Sequence, residues 1–271
     1  MATISSAEPS VGAAPFGRVL VGVDSSAAGR EAALQAARLV APEGTLELLT
    51  AVYIAGASLQ GCSPEQIDAT LEREGGPALT AAAALVGARA TTRLVNGPPK
   101  EALLHEAKQN DATLIAIGSH DNSRLSELLI GGVAGPVLRE AACSVLIARH
   151  AVGAGLFPMN LVVGIDGSPS SLEALVVGEY LRDRFDVPLR TVLARHGDVD
   201  IVHAKLTAPG VEIIDGSPLE VLVEACATRD LVVVGNRGAH GLRTLGSVSE
   251  RLAHTAPCSV LVVRAPPADH P

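Results

Sequence analysis

Apolar runs of strand length alternate with helical patterns along the chain. In the first half the predicted strands are short runs rich in Val, Leu and Ile, at Val19–Val23, Leu46–Val52, Thr92–Val95, Leu114–Ile117 and Val145–Ala148. Helical patterns fall between them, at Ala27–Val40, Glu65–Val86, Lys100–Lys108 and Gly132–Glu140. Continuous apolar strands bounded by helices indicate a parallel sheet that is covered on both faces.

The second half repeats this alternation. Its predicted strands are Leu161–Ile165, Leu189–Leu193, Val211–Ile214, Leu231–Val234 and Val260–Val263. Three sequence blocks also recur in the same order: the block around Asp24 matches that around Asp166, Gly97 matches Gly216, and Cys143 matches Cys258. Such an ordered recurrence indicates two copies of one domain.

The predicted fold class is therefore α/β, with two tandem doubly wound domains. We expect a disordered leader at 1–15, a first domain at 16–149, a linker at 150–158, a second domain at 159–265 and a tail at 266–271. The second copy is shorter, mainly because it lacks room for the long helix predicted around Pro64–Gly87. In such sheets, ligands bind beyond the carboxyl ends of the strands, at the point where the strand order reverses.

The amino-acid composition excludes several classes of protein. A hydrophobic fraction of 48% excludes intrinsic disorder, and a formal charge of −8 argues against non-specific nucleic-acid binding. Residues 1–15 do not read as a signal peptide, and the most apolar stretch, Ala78–Ala90, is too short to span a membrane. The four cysteines are widely spaced, which favours free thiols. We therefore expect a cytoplasmic protein with no membrane partner.

Candidate binding residues follow the fourth strand of the second copy. Gly235 and Gly238 allow a tight turn and a close backbone approach to an anion. The next candidates open a helix, whose free amides suit a phosphate: Gly246, Ser247, Val248 and Ser249. Asp166 ends the first strand of this copy and could accept a hydrogen bond from a ribose. A glycine-rich loop is weak evidence by itself, but Asp166 and the parallel sheet strengthen it.

These motifs resemble the universal stress protein family over nearly the whole chain. The resemblance rests on Val-Gly-Ile-Asp166-Gly-Ser, Gly216-Ser-Pro, the Gly235 to Ser249 segment, and Pro257-Cys-Ser-Val-Leu-Val-Val. It implies a five-stranded parallel sheet per domain and, in one subclass, ATP bound through G-x-x-G-x(9)-G-(S/T). It also implies that the last strands, Val145–Ala148 and Val260–Val263, pair the two domains as a pseudo-dimer. Further homodimerisation stays open.

Both copies depart from the ATP-binding pattern. In the second copy only seven residues separate Gly238 from Gly246. Arg195 stands where the family usually has a small apolar contact to adenine, and an arginine could either stack on the base or block it.

The first copy keeps the nine-residue spacing, and Val52 stands at the presumed adenine wall. Its weaker candidates are Asp24, Val52, Gly118, Gly131 and Gly132. However, Asp121 replaces the second glycine, and a carboxylate about 5 Å from a phosphate costs roughly 3 kcal/mol per charge pair at an effective dielectric near 20. Asp121 could avoid this by turning outward or by binding Mg²⁺ with the phosphates. The second copy is therefore the preferred site.

Catalytic and metal-binding patterns are missing from the sequence. The eight histidines show no close ligand spacing, and neither Gly-x-Ser-x-Gly nor a P-loop occurs. We therefore predict a stress-response regulator that binds ATP, with or without Mg²⁺, mainly in the second domain and without efficient catalysis. One alternative is an interaction module that has lost nucleotide binding. The other is an ATP-using enzyme on the same scaffold.

Overall fold

The computed structural model describes residues 14–55, 61–119, 132–149, 156–196, 208, 210–236 and 248–264. Within these ranges the first half contains β1 (Arg18–Gly22), α1 (Ala27–Leu39), β2 (Thr45–Val52), α2 (Pro64–Val86), β3 (Ala90–Asn96), α3 (Pro99–Gln109), β4 (Leu114–Gly118), α4 (Ala134–Glu140) and β5 (Ser144–Ala148). The second half contains β6 (Leu161–Ile165), α5 (Pro169–Phe185), β7 (Leu189–Arg195), β8 (Glu212–Asp215), α6 (Pro218–Cys226), β9 (Leu231–Gly235), α7 (Val248–Thr255) and β10 (Ser259–Val263). Each predicted strand overlaps an observed one.

The ten strands of the described residues form one sheet, in the order β3-β2-β1-β4-β5-β10-β9-β6-β7-β8. Neighbouring strands within each half are parallel. The two halves join through the antiparallel pair β5–β10, in which Leu146 lies opposite Leu261. The predicted α/β fold class is confirmed, and the last strands pair the halves as the family resemblance implied.

The central strands are buried on both faces, as the continuous apolar runs predicted. β5 and β10 are buried along their whole length. Small residues let the helices lie close to the sheet: Ala32, Ala33 and Ala36 of α1 are fully buried. At Gly178 of α5 a Cβ atom would lie only 2.3 Å from Cγ2 of Val163, so glycine is required there.

Serine side chains begin four of the described helices. Ser26, Ser63, Ser168 and Ser217 each accept a hydrogen bond from a backbone amide in the first turn of the helix that follows. This satisfies an amide that has no partner within the helix and fixes the direction in which the chain leaves each turn. Ser26, Ser168 and Ser217 each follow a strand after a short turn. These three serines therefore fix the geometry of the chain at the carboxyl edge of the sheet.

Side-chain contacts also connect the two halves. Arg139 of α4 lies 3.0 Å from the carboxylate of Glu250 in α7. Arg184 of α5 donates hydrogen bonds to the carbonyl oxygens of Leu39 and Val40 at the end of α1, at 2.9 and 2.7 Å. The halves therefore share helix contacts on both faces of the sheet. None of the helices in the described part of the chain is long and apolar enough to cross a membrane.

Candidate functional site

A cavity of about 220 Å³ opens at the carboxyl ends of β1, β2 and β4 in the first half. Because β1 lies between β2 and β4 in the sheet, this position is where the strand order reverses. The cavity is mostly apolar, with a few polar groups at its edge. Such a combination is typical of small-molecule sites.

The turn after β1 supplies the carboxylate of this cavity. Oδ1 of Asp24 accepts hydrogen bonds from the backbone amide of Ser26, at 3.0 Å, and from its hydroxyl. The Ser26 hydroxyl in turn accepts from the amide of Gly29 at 3.0 Å. A Cβ atom at Gly29 would lie 2.5 Å from Oδ1 of Asp24. Glycine at this position therefore leaves room for the Asp24 carboxylate over the start of α1.

The floor of the cavity is formed by aliphatic side chains. Leu49 of β2, Leu103 of α3 and Ile117 of β4 line it. Gly22 allows Leu103 to approach β1, because a Cβ atom at Gly22 would lie 3.0 Å from Cδ1 of Leu103. Thr50 also lines the cavity, and its hydroxyl donates a hydrogen bond to the carbonyl oxygen of Val23 at 2.8 Å. The cavity can therefore accept a flat apolar group and a hydroxyl beside Asp24.

Val52 faces away from this floor. A Cβ atom placed on Gly75 of α2 would lie 2.9 Å from Cγ2 of Val52, so Val52 packs against α2 on the opposite face of the sheet. Successive side chains of a strand point to opposite faces. Of these two residues, Ala51 lines the cavity and Val52 does not, so the predicted contact of Val52 with adenine stays a prediction.

Two of the predicted phosphate-loop glycines have a packing role. A Cβ atom at Gly118 would lie 2.3 Å from the backbone carbon of Ala28 in α1. At Gly235 it would lie 2.2 Å from the backbone oxygen of Ser170 in α5. Each half therefore needs glycine here so that the first helix can approach the sheet. Gly118 also lines the cavity.

The remaining first-half candidates surround the start of α4. Gly132 and Val133 line the cavity, and α4 has no side-chain cap at its first turn. A Cβ atom at Gly132 would have open space around it. Gly131 and Asp121 lie outside the described residues. The structure thus brings Asp24, Gly118 and Gly132 together at one cavity.

The equivalent turn in the second half has a different geometry. Asp166 is exposed at the end of β6, and its Oδ1 accepts from the amide of Ser168 at 2.9 Å. Ser171 stands where the first half has Gly29, five residues after the aspartate. Its hydroxyl accepts from the Asp166 amide at 3.3 Å and donates to the Ser168 carbonyl at 2.9 Å. The space left open by Gly29 in the first half is therefore occupied by a hydroxyl in the second.

An ion pair lies at the ends of β7 and β8. Arg195 and Asp215 are opposite each other in the register, as Val52 and Asn96 are in the first half. The Arg195 guanidinium donates two hydrogen bonds to the Asp215 carboxylate, at 2.5 and 2.7 Å. These hydrogen bonds hold the pKa of Asp215 below its usual value. The Arg195 guanidinium is therefore already paired with the carboxylate of Asp215.

The other second-half candidates begin α7. Val248 is exposed, whereas Ser249 is buried. Gly238, Gly246 and Ser247 lie outside the described residues, so their predicted role in phosphate binding stays a prediction. Within the described ranges, no three His, Cys, Asp or Glu side chains are grouped so that they could hold a metal ion.

Several lining residues were missed from the sequence. Ser26, Gly29, Thr50 and Leu103 line the cavity beside Asp24. A signal for Ser26 existed, because a serine two residues after a strand-ending aspartate is a typical helix cap. For Leu103 and Thr50 no local motif exists, since their position depends on how helix and strands pack.

Comparison with known proteins places these features in a family. The model of the universal stress protein family matches residues 15–149 and 201–264. A universal stress protein of Mycobacterium tuberculosis is 31% identical over 186 residues, which cover 57% of this chain and 63% of that protein. The chain thus spans less than two thirds of that relative's length. A universal stress protein of Bacillus subtilis is 39% identical over 67 residues, covering 25% of this chain and 45% of that protein.

Solved structures agree on the fold. A universal stress protein from Archaeoglobus fulgidus superposes with a TM-score of 0.73 at 19% identity, covering 92% of this chain and 98% of that chain. A functionally unknown protein from Pseudomonas aeruginosa gives a TM-score of 0.67 at 14% identity, covering 93% of each chain.

Proposed function

Because this chain belongs to the universal stress protein family, we propose that it is a cytoplasmic stress-response regulator that binds an adenine nucleotide. The observation that carries this proposal is the cavity of about 220 Å³, with an apolar floor and the Asp24 carboxylate at its edge. It lies where a doubly wound sheet binds its ligands. A regulatory rather than catalytic role is general in this family.

The chemistry of the lining suits the parts of a nucleotide. The adenine ring would lie on Leu49, Leu103 and Ile117, and a ribose hydroxyl would donate to Asp24. The phosphates would extend toward the first turn of α4. Arg30 of α1 carries a positive charge at the turn after β1, where its guanidinium donates to the Ser25 carbonyl at 2.8 Å.

The first half is the principal site in this proposal, although the sequence favoured the second. Two local differences support the change. Gly29 leaves room for Asp24, whereas Ser171 fills the corresponding space. Arg195 is held by Asp215 at the edge of the second half. Occupancy of the first site would then stabilise one arrangement of the surrounding surface and so bias which partner protein can bind.

A pair of matched variants tests the proposal. ATP binding with Mg²⁺ is measured by isothermal titration calorimetry for the full chain, Asp24→Asn and Asp166→Asn. Asn keeps an oxygen that accepts from Ser26 or Ser168 but removes the charge, so both variants should fold. We expect one site per chain, an affinity about tenfold lower in Asp24→Asn, and no change in Asp166→Asn.

The other outcomes separate the alternatives. A loss of ATP affinity in Asp166→Asn alone would indicate that the nucleotide binds in the second half instead. No binding at millimolar ATP, together with no adenine nucleotide released on denaturing the purified protein, would support an interaction module without nucleotide. Steady release of phosphate from ATP at enzymatic rates would support the enzyme alternative.

A further inference from the structure

Strand β2 contributes Leu49, Thr50 and Ala51 to the cavity, and successive side chains along it point to opposite faces of the sheet. Leu46 and Leu48 belong to the core on one face of the sheet, whereas Leu49 belongs to the core on the other face. Leu49 and Ala51 line the cavity from that second face. The side chain two positions beyond Ala51 therefore lies on the same face if the extended backbone continues.

Two hydrogen bonds keep the chain beside β3 just beyond the end of β2. The carbonyl oxygen of Val52 accepts from the amide of Gly97 at 3.0 Å. The amide of Ile54 donates to the side-chain oxygen of Asn96 at 3.1 Å, which extends the contact with β3 by two residues. Tyr53 lies between these two anchored residues, two positions after Ala51, and the alternation of side chains along an extended chain would direct its ring to the face that carries Leu49 and Ala51.

Tyr53 is unusual among the aromatic residues of this chain, which has two Tyr, three Phe and no Trp. Phe16 and Phe157 are buried, and Tyr180 and Phe185 pack partly against the core. The Tyr53 side chain is 65% exposed. An exposed aromatic ring two positions after a residue that lines a mostly apolar cavity offers a flat surface that a ligand in that cavity could cover.

We propose that Tyr53 stacks on the base of the nucleotide and so selects ligands that carry an aromatic base. This inference rests on the proposed function, because it concerns the same cavity. The apolar floor contacts one face of the base, and the Tyr53 ring covers its other face or edge. Stacking needs a π-face but no specific hydrogen bond, so Tyr53 favours nucleotides over sugar phosphates and polyphosphates.

The absence of tryptophan gives a direct spectroscopic test. In a Tyr180→Phe variant Tyr53 is the only tyrosine and dominates the intrinsic fluorescence. We expect ATP with Mg²⁺ to change the Tyr53 emission with the same midpoint as the calorimetric titration. Ribose 5-phosphate and tripolyphosphate, which lack a base, should leave the emission unchanged and bind at least tenfold more weakly.

Two substitutions at Tyr53 separate the contribution of its ring to ATP binding from that of its hydroxyl. Tyr53→Phe keeps the ring and should bind ATP within about twofold of the unchanged chain. Tyr53→Ala should bind about tenfold more weakly. Because the side chain is exposed, both variants should unfold at the temperature of the unchanged chain.

The possible failures are distinguishable. If the unchanged chain does not bind ATP, the proposed function fails before Tyr53 is tested. If it binds ATP and Tyr53→Ala binds equally well, the proposed function survives and stacking by Tyr53 is overturned. Equal weakening in Tyr53→Phe and Tyr53→Ala would also overturn stacking, because it would assign the effect to the hydroxyl.

Discussion

Arg149 and Arg264 make reciprocal contacts across the β5–β10 pair. The backbone amide of Arg149 donates to the hydroxyl of Ser259 at 2.9 Å, and that of Arg264 donates to the hydroxyl of Ser144 at 3.1 Å. Each guanidinium then reaches the last helix of the opposite half. Arg149 donates to the Ala253 and His254 carbonyls of α7, and Arg264 to the Leu138 carbonyl of α4. Each helix thus has its carbonyl end capped by the other half.

Removing either guanidinium should destabilise the protein. We expect Arg149→Met and Arg264→Met to lower the free energy of unfolding by about 1–3 kcal/mol each, because a buried helix carbonyl loses a charged donor. Methionine keeps much of the apolar stem. Equilibrium urea unfolding measures the effect. Arg73→Met is the control, since Arg73 forms an exposed pair with Glu74 that is worth at most a few tenths of a kcal/mol. Unfolding curves equal to that of the control would show that the reciprocal contacts contribute nothing.

Alanine at Gly118 and at Gly235 should have equal effects on stability but different effects on binding. Each new Cβ atom would overlap the backbone of a helix, so we expect a loss of about 1–3 kcal/mol or more in both. Gly118 lines the cavity, so Gly118→Ala should also weaken ATP binding, whereas Gly235→Ala should not. Thermal unfolding and calorimetry give the two readouts.

Gly17→Ala is the control for this pair, because a Cβ atom at Gly17 meets no atom within 4 Å. It should change neither stability nor affinity. Equal loss of ATP affinity in both glycine variants would mean that binding responds to general destabilisation.

The four cysteines should differ sharply in reactivity. Cys62 is exposed, whereas Cys226 and Cys258 are buried. Burial raises the pKa of Cys143 to about 11, so its reactive thiolate is scarce at pH 8. We expect Ellman's reagent to modify one thiol per native chain within minutes and four after denaturation. Cys62→Ser should abolish the fast phase, and a fast phase that persists in it would contradict the assignment.

The raised pKa of Cys143 also predicts that the folded protein becomes less stable at high pH. Because the pKa of Cys143 is about 11 in the folded chain against an ordinary 9.0, the folded state keeps its proton after the unfolded state has lost it. The free energy of unfolding should therefore be unaffected below about pH 9 and fall between pH 9 and 11, by up to about 2–3 kcal/mol. Urea unfolding of Cys143→Ala should show a smaller decline over this range. Parallel declines would assign the loss to other groups.

The sequence pattern predicted the fold because its signals are local. Runs such as Val145–Ala148 identify strands wherever they occur, and the internal repeat gave the two-half arrangement. The site was only partly predictable. Asp24 and Gly118 end strands and were found, but Leu103 reaches the cavity only through the close approach allowed by Gly22. The preference for the second half followed from Asp121, whose charge would repel a phosphate in the first half. The difference between Gly29 and Ser171 depends on where one Cβ atom would lie, which no motif records.

The β5–β10 junction belongs to a single polypeptide, and this changes how the protein can evolve. In a dimer of identical subunits every substitution appears at both sites, so a residue that harms one site harms the other. Here the pairing survives any dilution, and each half varies independently. One copy can therefore keep a glycine, as at Gly29, where the other has a serine, as at Ser171, and the two halves can take on different roles within one sheet.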